Sequence, residues 1–243
     1  MYLLVLGAAS DIARETAKMF AKNEGANCYL AGRNPDALRL LATDLQIRYQ
    51  VKAEPVFFDA LNFGSHQAFY DALDPKPDGV ILAFGLLGNQ RECEADFDQA
   101  HRVIDSNFTG AVSIFEVIAR DFESKGRGFI IGISSVAGIR GRKKNYFYGS
   151  AKAALAEYLS GLRQRLHSRR VRVMTVLPGF VRTHMTEGMD LPDKLAATPE
   201  EAAKDIYSGW KRGRHVVYTK WFWRYIMLVI RHLPEIVFKR ISF

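Results

Sequence analysis

The sequence predicts an α/β fold, a doubly wound parallel sheet of about seven strands with helices on both faces, followed by an amphipathic helical tail. Three observations carry that expectation. Short apolar runs alternate with helix-like segments along most of the chain. The runs are apolar on successive residues, as in Gly79-Val80-Ile81-Leu82-Ala83, which suits strands buried on both faces. Small or polar residues follow several of the runs, and in such a sheet they collect at the carboxyl edge, where ligands sit. At 243 residues and 48% apolar content the chain fits one sizeable domain, assigned to 1–220, with the tail at 221–243.

Strands are expected at about 2–6, 27–31, 54–58, 78–84, 128–134, 171–177 and 215–218, and helices beginning near 11, 35, 62, 94, 108 and 146. The first strand runs into Gly7-Ala8-Ala9-Ser10-Asp11-Ile12-Ala13. There Gly7, Ala9, Ser10, Asp11 and Ile12 are candidates to hold a dinucleotide pyrophosphate on helix N-terminal N–H groups. The same stretch also reads as a plain strand-to-helix turn, with Asp11 as its N-cap. Arg33 ends the second strand, where an acidic residue would grip a ribose 2′-hydroxyl and an arginine suits a 2′-phosphate. Arg33 therefore favours NADP(H), and NAD(H) stays open. Asp59, with Ala60, closes the third strand and either meets an adenine amine or caps the helix near Asn62.

The fourth strand leads into Ala83-Phe84-Gly85, a glycine-punctuated loop on the same edge. Asn107 stands within a helical pattern although Asn is a poor helix former, so it marks either a kink or a site. The fifth strand delivers Ser135, and the sixth ends in Pro178-Gly179-Phe180-Val181-Arg182-Thr183, offering Pro178, Gly179, Val181 and Thr183 to the same edge. Between the fifth and sixth strands lies Tyr148-Gly149-Ser150-Ala151-Lys152. On a helix, residues four apart share a face. A phenol titrates near pH 10 unperturbed, and a neighbouring ammonium is expected to lower that value toward the range a general acid needs.

Between Ser135 and Tyr148, Arg140, Arg142, Lys143 and Lys144 put four cations in five residues. Such a run is either a solvated loop or, through Arg142, Lys143 and Lys144, a partner for an anionic substrate group. Cys28 and Cys93 have no metal-ligand spacing, so no metal is expected and both read as free thiols in a reducing compartment. No secretory signal opens the chain, which points to a cytoplasmic protein.

The net charge is +8, but residues 211–243 hold eight Lys or Arg against Glu235 alone, which leaves about +1 for everything before them. Basic character confined to the tail argues against a nucleic-acid partner. On a helix Arg224 and Arg231 share a narrow stripe, and apolar and aromatic residues from Trp221 to Leu233 cover the rest until Pro234. The longest apolar run, 225–230, is six residues, against the roughly 20 that span a bilayer. The tail either packs on the domain or a sister subunit, or lies on the inner face of the cell membrane as a peripheral anchor.

Ser135 with Tyr148-x-x-x-Lys152, Asn107 and Pro178-Gly179 together resemble the short-chain dehydrogenase/reductase family, over Tyr2 to about Thr219. The resemblance implies a Rossmann-type fold and reduction of a keto group with a nicotinamide cofactor. It implies Tyr148 as general acid/base, and Lys152 lowering its pKa and holding the nicotinamide ribose. Ser135 would orient the carbonyl and Asn107 support a proton-relay water. The family's usual glycine-rich turn is here reduced to Gly7, with Asp11 and Ala13 in place of two glycines. Ala83-Phe84-Gly85-Leu86-Leu87-Gly88, Phe147 to Lys152 and Tyr225 to Pro234 also look like the decaprenylphosphoryl-2-keto-erythropentose reductases. That likeness implies a polyprenyl-phosphate ketosugar as substrate, a flavin oxidase as partner and a place in cell wall biosynthesis; a homo-oligomer is expected. A soluble carbonyl, acyl or steroid reductase and a non-catalytic, membrane-attached scaffold are the alternatives.

Overall fold

A computed structural model describes residues 1–241 of the chain. Its centre is a parallel seven-stranded sheet: β1 (Tyr2–Leu6), β2 (Asn27–Gly32), β3 (Ala53–Phe57), β4 (Gly79–Leu82), β5 (Phe129–Ile133), β6 (Arg172–Pro178) and β7 (Val216–Thr219). The spatial order is β3-β2-β1-β4-β5-β6-β7, so the chain reverses its direction of growth between β1 and β4. In register, Leu6 faces Ala31 of β2 on one side and Leu82 of β4 on the other. All seven expected strands are present.

Alternation along β1 divides the core. Leu3 and Val5 pack with Phe20, Leu38, Leu45 and Ile206 on one face, Leu4 and Leu6 with Phe115, Ile118, Leu159 and Leu166 on the other. The first face is covered by α1 (Asp11–Glu24), α2 (Pro35–Tyr49) and α8 (Pro199–Lys211). After α2 in sequence come the short α3 (His66–Asp71), α4 (Gln90–Ala95) and α5 (Phe97–Ile104). The second face carries α6 (Gly110–Lys125) and α7 (Tyr146–His167). Helix ends follow local chemistry. Asn34 accepts the Ala37 N–H ahead of Pro35 at the start of α2, and Gly25 ends α1 with φ 58°.

Three helical expectations need correction, the first because the helix expected near 94 is two short ones, α4 and α5, divided at Asp96. No helix was expected near 199, yet α8 begins there. Its signal is plain in Thr198-Pro199-Glu200-Glu201, where Thr198 and Glu201 cap each other. The helix expected from 108 instead starts at Gly110, after a π turn over Asp105–Thr109. The tail forms α9 (Trp223–His232) and the one-turn α10 (Glu235–Phe238), separated at Pro234. Among the described residues no helix is long and apolar enough to cross a membrane. Phe243, at the apolar end of the tail, lies outside the described residues.

Candidate active site

Ser135 leaves the end of β5 and opens a short turn, Val136–Gly138, with its Oγ accepting the Ala137 N–H at 3.1 Å. That bond takes an acceptor site and leaves the hydroxyl proton to point elsewhere; the Ser135 side chain hydrogen-bonds to the phenol of Tyr148. Tyr148 lies in the first turn of α7, half-buried against Cys93, Ala100 and Val103. One turn on, Lys152 is buried; its Nζ donates to the Ile133 carbonyl at 3.0 Å and stands 5.8 Å from the Tyr148 ring centre. Ser134 Oγ donates to the Lys152 carbonyl at 2.6 Å, so β5 and α7 hold each other in register beside the candidate catalytic side chains.

The electrostatics correct one expectation. Burial pushes the Tyr148 phenol up to about 12, and the Ser135 hydrogen bond only partly offsets it. Burial also pulls the Lys152 ammonium down to about 8. A charge desolvated on one side loses more hydration than a neighbour several ångströms away returns. In the protein alone, then, Lys152 does not lower the Tyr148 pKa below its ordinary value.

Asn107, in the π turn, is fully buried. Its Nδ2 donates to the carbonyls of Leu86 (2.6 Å) and Val103 (2.7 Å), and its Oδ1 accepts from Leu86 N at 3.3 Å. The side chain thus ties the loop after β4 to the helix layer, and the chain kinks where it does so. A Cβ built on Gly85 would fall 2.5 Å from Asn107 Oδ1 and 3.3 Å from Lys152 Nζ, which locates all three residues together.

The dinucleotide candidates share this edge. Gly7 has φ 80°, and a Cβ there would come within 2.6 Å of Phe84 N, so only glycine lets the turns after β1 and β4 meet at the switch point. Ala83 donates to the Leu6 carbonyl at 2.9 Å. Ser10, not Asp11, is the N-cap of α1, and its side chain makes no capping bond, which leaves first-turn N–H groups to a ligand. Ala9 is exposed in the turn ahead of it, and Ile12 is half-buried. Asp11 takes Arg14 Nη2 and the His184 N–H, each at 2.9 Å, and so tethers α1 to the segment after β6.

Arg33 is exposed beyond β2. Asp59 accepts the Leu61 N–H at 3.1 Å in a local turn rather than capping a helix at Asn62, and Ala60 is half-buried after it. Pro178 ends β6, and Val181 is buried in a bridge to Ala197. Thr183 N donates to Thr186 Oγ1 at 3.1 Å. An open groove between α1 and this segment is lined by Asp11, Arg14, Thr183, His184, Met189 and Leu191. A glycine cradle at the switch point, open helix N–H groups and the groove fit a bound dinucleotide.

Of the loop cations, Arg142 is half-buried, and Lys143 and Lys144 are exposed. Arg140 turns instead to the tail. There Trp223 and Met227 are 4% and 1% exposed, packed with Val136 and Leu177. The opposite side of the tail is open: Trp221 is 73% and Val229 63% exposed, near Tyr225 and Leu228. Gly179 makes the packing possible, since a Cβ there would lie 1.9 Å from Trp223 Nε1. Sequence reasoning missed Ile133, Ala137, Arg140 and Trp223 as parts of the site. The first two act through backbone atoms, which leave no mark in side-chain chemistry; a bare Pro-Gly after a strand was the one cue that a large side chain must approach.

Residues 2–193 match the family described as short chain dehydrogenase. An uncharacterised oxidoreductase of Mycobacterium tuberculosis is 36% identical over 241 residues, covering 98% of this chain and 96% of that one. The NADP-dependent 3-hydroxy acid dehydrogenase of Schizosaccharomyces pombe is 30% identical over 230 residues, 88% of each chain. Among solved structures, a short-chain dehydrogenase from Sphingobium yanoikuyae in complex with NADPH superposes with a TM-score of 0.81 over 96% of both chains at 21% identity.

Proposed function

This chain belongs to the short-chain dehydrogenase family, and from that premise we propose that it reduces the keto group of a lipid-linked sugar phosphate with NADPH. The coarser part, a nicotinamide-dependent oxidoreductase, follows from family membership. The observation that carries the chemistry is the Ser135–Tyr148–Lys152 cluster at the end of β5. Gly7, Ala9, Ser10, Asp11 and Ile12 would hold the pyrophosphate, Arg33 the 2′-phosphate, and Asp59 and Ala60 the adenine. Ala83, Phe84, Gly85, Pro178, Gly179, Val181 and Thr183 would line the nicotinamide half. When bound, the cofactor supplies a hydride to the carbonyl carbon. Tyr148 gives its phenolic proton to the carbonyl oxygen, Ser135 orients that oxygen through its hydroxyl, and Lys152 offers its ammonium to the ribose and to the phenolate as it forms. Asn107, which holds the loop after β4, would support a proton-relay water.

The substrate class rests on the cations of the loop and on the tail. Lys143 and Lys144 stand exposed just past Ser135 in sequence, suited to a phosphodiester, while the tail's outward apolar side meets lipid. The ketosugar reading also gives the enzyme a flavin oxidase as supplier of the ketone and copies of itself as partners. The test is NADPH and NADH oxidation by the purified protein with a polyprenyl-phosphate 2-ketopentose, against a panel of water-soluble ketones. Wild type is expected to prefer NADPH and the lipid substrate, and Arg33→Asp to lose the cofactor preference. In the same assay Lys143→Gln/Lys144→Gln should raise KM about tenfold for the phosphate-bearing substrate alone. Equal rates with small neutral ketones would instead favour a soluble carbonyl reductase.

Attachment to the membrane has its own test. Anionic lipid attracts about 1 kcal/mol per basic residue near its surface, less as salt rises. The full-length protein is expected to float with anionic liposomes at low salt, and Trp221→Ser/Tyr225→Ser/Leu228→Ser to stay at the bottom of the gradient. Undiminished flotation of the folded triple variant would assign the contact elsewhere.

A further inference from the structure

The last carbonyls of a helix have no donor within it. At the end of α9 that donor is Arg140, from the loop between Ser135 and Tyr148, about 90 residues away in sequence. Its Nη1 donates to the carbonyls of Ile230 and Leu233, both at 2.6 Å, and its Nη2 to Glu235 Oε2 at 2.8 Å. The guanidinium carbon lies 3.7 Å from the centre of the Phe238 ring. The side chain is 15% exposed, so these contacts are largely out of water. With the Arg231 carbonyl at 3.5 Å from Nη1, five partners spaced over nine residues match a planar fork, which a lysine's single nitrogen cannot reproduce.

The other end of α9 is fastened independently. Trp223 sits on Gly179 and donates its Nε1 proton to the Leu195 carbonyl at 3.2 Å, and Met227 packs with Val136, the residue after Ser135. The chain that leaves Ser135 therefore has the β5–α7 contacts at one end and meets the tail through Val136, Ile139 and Arg140. Partly buried Ile139, Phe180, Phe222 and Ile230 fill the seam between them.

We propose that Arg140 is a positioning residue: it latches α9 and α10 onto the loop between Ser135 and Tyr148, making the tail the outer wall of the substrate site. The latch fixes where Lys143 and Lys144 stand relative to Ser135 without touching the reacting atoms. Its kinetic consequence rests on the reductase reading above; the latch itself does not. Because most of the dinucleotide candidates lie on the turns after β1 to β4, and Gly179 after β6 is covered by Trp223 rather than by Arg140, loss of the latch should spare cofactor binding.

The experiment uses full-length Arg140→Ala, Arg140→Lys and Glu235→Gln. Hydrogen–deuterium exchange is read across residues 136–145 and 228–240, NADPH binding by its fluorescence, and kinetics with a farnesyl-phosphoryl 2-ketopentose as probe. In Arg140→Ala exchange is expected to rise about tenfold in both segments together. KM for the probe should rise about tenfold, with kcat within about threefold and NADPH affinity within about twofold. Arg140→Lys should recover part of each change, and Glu235→Gln, which keeps both carbonyl contacts, should shift each less than Arg140→Ala. Faster exchange in only one segment, or in neither, overturns the proposal. So does a loss of NADPH affinity as large as the rise in KM, which would mark a general loosening of the fold. If Arg140→Ala does not fold, the same joint exchange response is required of Arg140→Lys. If wild type turns over no probe, the reductase reading falls while the exchange result still decides the latch.

Discussion

Tyr148→Phe is expected to slow ketone reduction by about 10²–10⁴-fold, the range a positioned proton donor contributes, while NADPH affinity stays within a few-fold. The substitution removes one oxygen and leaves the ring against Cys93, Ala100 and Val103, so the packing that places α7 survives. A variant retaining more than about a hundredth of the wild-type rate would remove the proton from Tyr148's account. The pH profile offers a second reading of the same site. With its phenol at about 12, Tyr148 keeps its proton throughout the neutral range, as reduction requires. Lys152, near 8, is the group whose charge changes first on raising the pH. The kcat/KM for reduction should be flat at neutrality and fall above about pH 8. A profile flat through pH 10 would separate catalysis from the Lys152 charge.

The sign for stability follows from the same value. The folded Lys152 pKa lies below its ordinary 10.5, so burial costs the native state its full penalty below about pH 8. Between about 8 and 10.5 the unfolded chain holds the extra proton, and the contribution of this group to stability rises with pH across that window.

Trp223→Ala is expected to destabilise the protein by about 3–5 kcal/mol, the usual cost of removing a buried indole. At this chain length that lowers Tm by roughly 6–20 °C. The side chain fills the space over Gly179, edge-on to Phe180 with ring centres 5.3 Å apart, and its loss leaves both uncovered. Thermal unfolding followed by tryptophan-independent circular dichroism reads the effect. A Tm within about 2 °C of wild type would mean that α9 does not depend on this anchor. For the same reason, ending the chain at Lys220 would expose Val136 and Leu177 beside Ser135, so membrane binding is better tested by outward substitutions at Trp221, Tyr225 and Leu228.

What was legible in the sequence was whatever is local. Strand runs, the four-residue spacing of Tyr148 and Lys152, and the break at Pro234 follow from side-chain periodicity and backbone limits within a few residues. The cap of α8 was equally local, and reading Thr198-Pro199-Glu200-Glu201 for its capping pattern reveals that helix. Asn107 announced an irregularity, but only packing decided that it becomes a π turn binding the Leu86 backbone.

Other features needed the tertiary structure. Asp11 is a plausible cap from its neighbours, yet its carboxylate meets the N–H of His184, 173 residues away. Arg140 is one of four similar cations in the sequence, and only the position of α9 distinguishes it from Lys143 and Lys144. The pKa of Tyr148 reverses direction for the same reason. Spacing along a helix specifies the distance between two charges, whereas desolvation depends on everything the fold packs around them. Chain-local geometry thus determined which residues are candidates for the chemistry, and long-range packing decided how much water each one keeps and which of them pack around the candidate site.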